Sequence, residues 1–87
     1  MAGNIKSMIT VRLFGLLSTY GGPMRFEVEA VTVRDALRHA AEMGVDKRLV
    51  NGALIFVNGQ QLTGITRLRR RLCGGDELAL LLPTGGG

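Results

Sequence analysis

One cysteine, one histidine and no tryptophan are all that this chain holds of the residues that most often carry redox, metal and base-stacking chemistry. A lone Cys73 cannot close an intrachain disulfide, and one thiol with one imidazole is too small a donor set for a protein-held metal. No histidine stands near Cys73 in sequence to activate it, so it is expected to be a free, partly buried thiol beside Gly74-Gly75 and not a nucleophile. Apolar runs are short: 78–82 falls far below the roughly 20 residues of a membrane-crossing helix. The first residues lack the charged-then-apolar order of a signal peptide, which sets the expectation of a cytoplasmic protein with no membrane partner.

Aromatics make up only 5% of the chain, whereas hydrophobic residues reach 46% over 87 residues. That balance describes one small domain with an aliphatic core of Leu, Val and Ile. Acidic residues are the other shortage: seven stand against eleven basic ones, giving a net charge of +4. The excess is local, because Arg67, Arg69, Arg70 and Arg71 fall within one short segment. Such a patch suits an acidic partner surface or phosphates, and equally suits a solvated loop. Nucleic acid is disfavoured, since no aromatic residues interleave with the arginines to stack bases.

The pattern along the chain gives the elements. Residues 1–7 have no period and read as a loose leader, 8–84 as one domain, and 85–87 as a flexible tail. Residues 9–14 alternate, with Ile9, Val11 and Leu13 on one face and Thr10, Arg12 and Phe14 on the other, which predicts a half-buried strand. Gly21-Gly22-Pro23 marks a turn, and 25–30 alternates again with Phe26, Val28 and Ala30 inward. Two strands so close predict a hairpin. Thr32 with Asp35 three residues on resembles a capping box, and Val33, Ala36, Leu37, Ala40 and Ala41 repeat at helical spacing. Arg34, Arg38, His39 and Glu42 fall on the other face, with Arg38 and Glu42 spaced for an ion pair and His39 expected at the surface near Asp35. Gly44 marks the helix end, and 46–52 is a polar connection with room for a short helical turn. A strand at 54–57 ends in Asn58-Gly59, a short extended piece follows at Gln61-Leu62, Gly74-Gly75-Asp76 is a turn, and 77–82 is the last strand. The sum is an α+β fold: a mixed sheet of four to five strands with one main helix packed on one face.

Beyond the last strand come Pro83 and then Gly85, Gly86 and Gly87. Glycine has no Cβ, so such an end threads a narrow slot and presents its α-carboxylate with little shielding. A carboxylate is a poor electrophile until its oxygen becomes a leaving group. The tail therefore points to activation by a partner enzyme and not to catalysis by this chain.

Three segments together, 11–15, Val57-Asn58-Gly59, and Gly75-Asp76-Glu77-Leu78 through Pro83 to Gly86-Gly87, resemble the MoaD/ThiS family of ubiquitin-like, β-grasp sulfur carriers. The length and the Val11 to Phe14 opening are more similar to the MoaD branch. That resemblance implies that Gly87 is adenylated by an adenylyltransferase of the MoeB/ThiF type, which uses ATP and Mg. A sulfur donor protein then leaves a C-terminal thiocarboxylate. It also implies a large synthase subunit of the MoaE type that accepts the tail, sulfur delivery to a pterin precursor of the molybdenum cofactor, and no cofactor bound to the carrier itself. The chain departs from the usual family ending in its third glycine, Gly85, and in Leu80-Leu81-Leu82-Pro83 where an aromatic and a Pro-Pro pair are common. Alternative outcomes are a protein modifier conjugated through Gly87 to lysines, a carrier for thiamine or another sulfur metabolite, and a plain interaction or RNA-binding module. Phe14 and Leu81 fall on the non-core faces of strands that this fold makes neighbours. With Ala79, Phe56 and Pro83 they are expected to form a partner-binding patch beside the tail.

Overall fold

The structure, a computed structural model, describes residues 7–15, 17 and 24–82. The first strand, β1 (Ser7–Gly15), pairs antiparallel with β2 (Arg25–Ala30). Ser7 sits opposite Ala30, so the ladder reaches one residue into the stretch expected as leader. The expected turn at Gly21-Gly22-Pro23 lies outside the described residues. Alternation decides the faces: Ile9, Val11, Leu13, Phe26, Val28 and Ala30 are buried, whereas Met8, Arg12, Phe14, Arg25, Glu27 and Glu29 are exposed.

Helix α1 (Val33–Glu42) starts as the capping pattern requires. The Asp35 amide donates to the Thr32 hydroxyl at 3.2 Å. The returning carboxylate takes the Val31 amide at 3.2 Å, one residue further back than in the standard box. Val33, Ala36 and Ala40 are fully buried. Their short side chains seat the helix against β1 and β2, and Leu37 and Ala41 flank this line half-buried. The expected Arg38–Glu42 pair does not form. Asp35, already held by the Val31 amide, takes the Arg38 guanidinium at 3.0 Å, and Glu42 pairs with His39 at 3.2 Å. His39 lies at the surface as expected, with 37% of its side chain exposed.

The connection after α1 contains a second short helix, α2 (Lys47–Asn51), capped by Asp46, whose carboxylate accepts from the Arg48 amide at 2.8 Å. That hydrogen bond, with the Arg48 guanidinium as a second cause, holds the Asp46 carboxyl below its ordinary range. β3 (Leu54–Val57) and β4 (Gln60–Leu62) form a hairpin through Asn58-Gly59, both at positive φ (51° and 86°), the two-residue turn that matches strand twist. A 3-10 turn (Arg67–Arg69) leads to β5 (Glu77–Leu82).

The sheet order is β2-β1-β5-β3-β4, with β1 and β5 parallel and every other pair antiparallel. The last strand is therefore central. Leu78 and Leu80 are fully buried, and together with Ile55, Val57, Val45, Val50, Leu17 and Leu72 they close one aliphatic core under α1. This is the expected mixed sheet with a helix on one face. Among the described residues no helix is long and apolar enough to cross a membrane.

The arginine run is exposed at Arg69, Arg70 and Arg71, while its backbone is tied down: the Val33 amide donates to the Arg70 carbonyl (2.9 Å), the Leu72 amide donates to the Val31 carbonyl (2.8 Å), and Arg67 is half-buried with its guanidinium on the Gly64 carbonyl (2.9 Å). One smaller expectation fails on packing grounds. Cys73 is exposed and not partly buried, because Leu72 takes the inward position beside it.

Candidate docking face at the exit of the last strand

Because β1 and β5 run parallel, their C-terminal ends, Gly15 and Leu82, lie side by side. Register places Phe14 opposite Leu81 and Leu81 opposite Leu54, one row across three strands. The next row back is Arg12, Ala79 and Phe56; the third begins with Thr10 and Glu77. Polarity thus falls toward the exit. Phe14 and Leu54 are 39% and 37% exposed, while Leu81, Ala79 and Phe56 are half-buried beside them. Contiguous exposed apolar residues of this kind mark partner contacts in other proteins.

Four of the residues expected in the patch, Phe14, Leu81, Ala79 and Phe56, are brought together; Pro83 and the tail residues Gly85, Gly86 and Gly87 lie outside the described residues. Sequence reading missed Leu54 and the part played by Arg12. Leu54 is two residues from Phe56, so alternation along β3 puts both on the same face. Arg12 lies over the Phe14 ring, 5.2 Å from its centroid, and reaches Glu77 at 3.2 Å. It borders the patch with a cation held between a ring face and a carboxylate. Arg67, Arg69, Arg70 and Arg71 belong to the segment under α1 and not to this face.

Two of the sequence motifs touch each other behind the patch. The Asn58 amide group donates to the Asp76 carboxylate at 3.0 Å, and its carbonyl oxygen accepts from the Glu77 amide at 2.9 Å. The other Asp76 oxygen accepts from the Cys73 amide at 2.8 Å. The Cys73 amide first, and Asn58 second, hold the Asp76 carboxyl below its ordinary value. This latch joins the β3–β4 turn to the start of β5 and so fixes the β5 register. At the far end of the strand Gly15 has a φ of +66°, and a Cβ there would lie 2.1 Å from the Leu82 carbonyl oxygen. Only glycine lets β1 approach the last described residue of β5 so closely. Among the described residues no group of His, Cys, Asp and Glu is placed to hold a metal ion.

A five-stranded mixed sheet clasping one helix, with an apolar outer face where the central strand ends, defines a ubiquitin-like β-grasp protein. Solved structures carry the same fold. One is a chain from the complex of subunits 1 and 2 of the molybdopterin-converting factor of Helicobacter pylori, with 25% identity, 92% of this chain and 99% of that one covered, and a TM-score of 0.69. Small archaeal modifier protein 1 from Haloferax volcanii matches with 25% identity, 93% and 100% coverage and a TM-score of 0.78. Urm1 from Trypanosoma brucei, at 16% identity, covers 97% of this chain and 99% of its own with a TM-score of 0.69, and shows the fold alone. None of the curated protein sequences matches significantly. The model of the ThiS family matches residues 11–87, and the chain belongs to that family of ubiquitin-like sulfur carriers.

Proposed function

We propose that this protein is a sulfur carrier and not an enzyme, with Gly87 as the residue that carries the sulfur and the molybdenum-cofactor pterin as its end point. The observation that supports this most is the family match running through Gly87 on a domain whose apolar row, Phe14, Leu81 and Leu54, flanks the end of β5. In this reading an adenylyltransferase partner, using ATP and Mg, joins the Gly87 carboxylate oxygen to the α-phosphorus and releases pyrophosphate. A sulfide-level nucleophile then attacks the acyl carbon, AMP leaves with the oxygen, and a thiocarboxylate remains. If the donor is a persulfide, its terminal sulfur first gives an acyl disulfide, which a second thiol reduces. The domain's own contribution is aim: the patch docks, the Asp76–Asn58 latch sets the register of β5, and the glycines reach into the partner. A large synthase subunit taking the tail is supported by the Helicobacter pylori relative, which is a complex of two subunits. A cytoplasmic setting is part of the same proposal.

The test is intact mass spectrometry after incubation with an activating enzyme, ATP and a sulfur source. An oxygen-to-sulfur mass increase that disappears when Gly87 is deleted is expected; no increase overturns the reading. Protein modification is the second reading, favoured by the likeness to an archaeal modifier protein. Higher-mass conjugates that depend on Gly86-Gly87 in cell lysate would establish it.

A further inference from the structure

The side of the molecule away from the docking face carries a groove of about 320 Å³ between α1, α2 and the 3-10 turn. Its floor is apolar: Leu37 and Ala41 from α1, Val50 from α2, and Leu68 from the middle of the arginine run. Its rim carries the cations Arg34, Arg38 and Lys47 beside the neutral, polar Asn51, and no acidic residue lines it. Arg38 is partly balanced by Asp35 at 3.0 Å, whereas Arg34 and Lys47 have no ion pair among the described residues. Burying aliphatic side chains in the floor while leaving cations on the rim selects an occupant of the opposite pattern.

Three occupants can be weighed. A small metabolite needs convergent buried polar groups to orient it, and among the described residues no polar or charged residue is buried. A single-stranded nucleic acid needs stacking platforms, and no aromatic residue lines the groove. A peptide needs only anchors and charge: one or two aliphatic side chains in the floor, carboxylates toward Arg34 and Lys47.

We infer that the groove is a docking site for an acidic, leucine-anchored segment of a partner protein. It does not depend on the sulfur-carrier reading. The groove and the Phe14–Leu81 patch lie on opposite sides of the sheet, so an acidic segment is held while the glycine tail is engaged elsewhere. Leu68 thereby acquires a role that its four arginine neighbours concealed, since the side chain between them is part of the floor.

The probe is a fluorescein-labelled peptide with two leucines flanked by glutamates, titrated with the full chain and followed by anisotropy. Saturable binding is expected, weakened about tenfold by joint Arg34→Glu and Lys47→Glu substitution and reduced by added salt. Amide shifts in NMR spectra are expected at Leu37, Ala41, Val50 and Leu68 and not at Phe14 and Leu81. Both substitutions are at the exposed rim, and circular dichroism checks that the variant folds. The proposal is overturned by absent binding, by equal binding of peptides with lysine for glutamate or serine for leucine, or by an unchanged double variant. Shifts confined to the sheet's outer face, tighter binding of a single-stranded RNA at Arg34 and Lys47, or self-association of the chain through this groove would overturn it as well.

Discussion

The two halves of the sheet's outer face are made by the same alternation and end in opposite chemistry. Over the C-terminal ends of β1 and β5 and over β3, the outward residues are Phe14, Leu81, Leu54, Ala79 and Phe56, with Arg12 bordering them; over β2 they are Arg25, Glu27 and Glu29. Both halves cover the same core with the same backbone. What differs is only what a partner would meet. The β2 half lies on a sheet edge, where charges deter strand-to-strand association, while the other half spans interior strands whose hydrogen bonds are already used. Apolar exposure is therefore placed where it invites side-chain docking without inviting edge pairing.

Breaking that contrast most severely means crossing from the outer face to the core on one strand. Leu80→Ala, at a fully buried position, is expected to cost about 2–5 kcal/mol in denaturant unfolding, whereas Leu81→Ala next to it costs about 1 kcal/mol or less. Equal losses would mean that the two faces of β5 are not distinct. Gly15→Ala combines a left-handed backbone with a Cβ driven onto the Leu82 carbonyl, and should cost about 2–4 kcal/mol by the same measurement. Phe14→Asp should leave the melting temperature nearly unchanged while weakening calorimetric affinity for the proposed activating enzyme by about 2 kcal/mol, as loss of a central apolar anchor does.

The latch behind the patch gives a smaller, pH-dependent effect. Asp76→Ala removes acceptors for the Cys73 amide and the Asn58 side chain, both exposed to water, and should cost about 0.5–1.5 kcal/mol near neutral pH. The folded carboxyl titrates below its ordinary value near 3.8, so its stabilising contribution is complete above that pH and is lost as pH falls through the lower folded value. Asp76→Asn should accordingly flatten part of the decline in melting temperature under acid, and an unaltered profile would remove Asp76 from this role. On the charged half, Glu27→Gln should change stability by no more than about 0.5 kcal/mol and affinity for the proposed activating enzyme not at all.

Where the sequence was readable, the reason is periodicity enforced by burial. Ile9, Val11 and Leu13 must face the core and Phe14 must not, so the aromatic that breaks the polar face marks the patch. The tie between Asn58 and Asp76 was not readable, because nothing in a turn motif says which distant turn it meets. Nor was the packing of 67–72 under α1: four arginines within five residues suit a charged patch and a solvated loop equally, and the anchoring comes from backbone groups of Val31, Val33, Arg70 and Leu72 that carry no sequence signature. Leu54 was within reach by alternation from Phe56. The exposure of Cys73 was not, since either it or Leu72 had to turn inward, and only tertiary packing chose.

The central position of β5 has a mechanical consequence. A tail attached to an edge strand could be peeled away one hydrogen bond at a time, whereas β5 is flanked by β1 on one side and β3 on the other. Tension drawn along residues 77–82 loads both ladders together in shear, with the Asp76–Asn58 tie anchoring the far end. A pull on the end of β5 must therefore break two ladders at once before the body of the domain unravels.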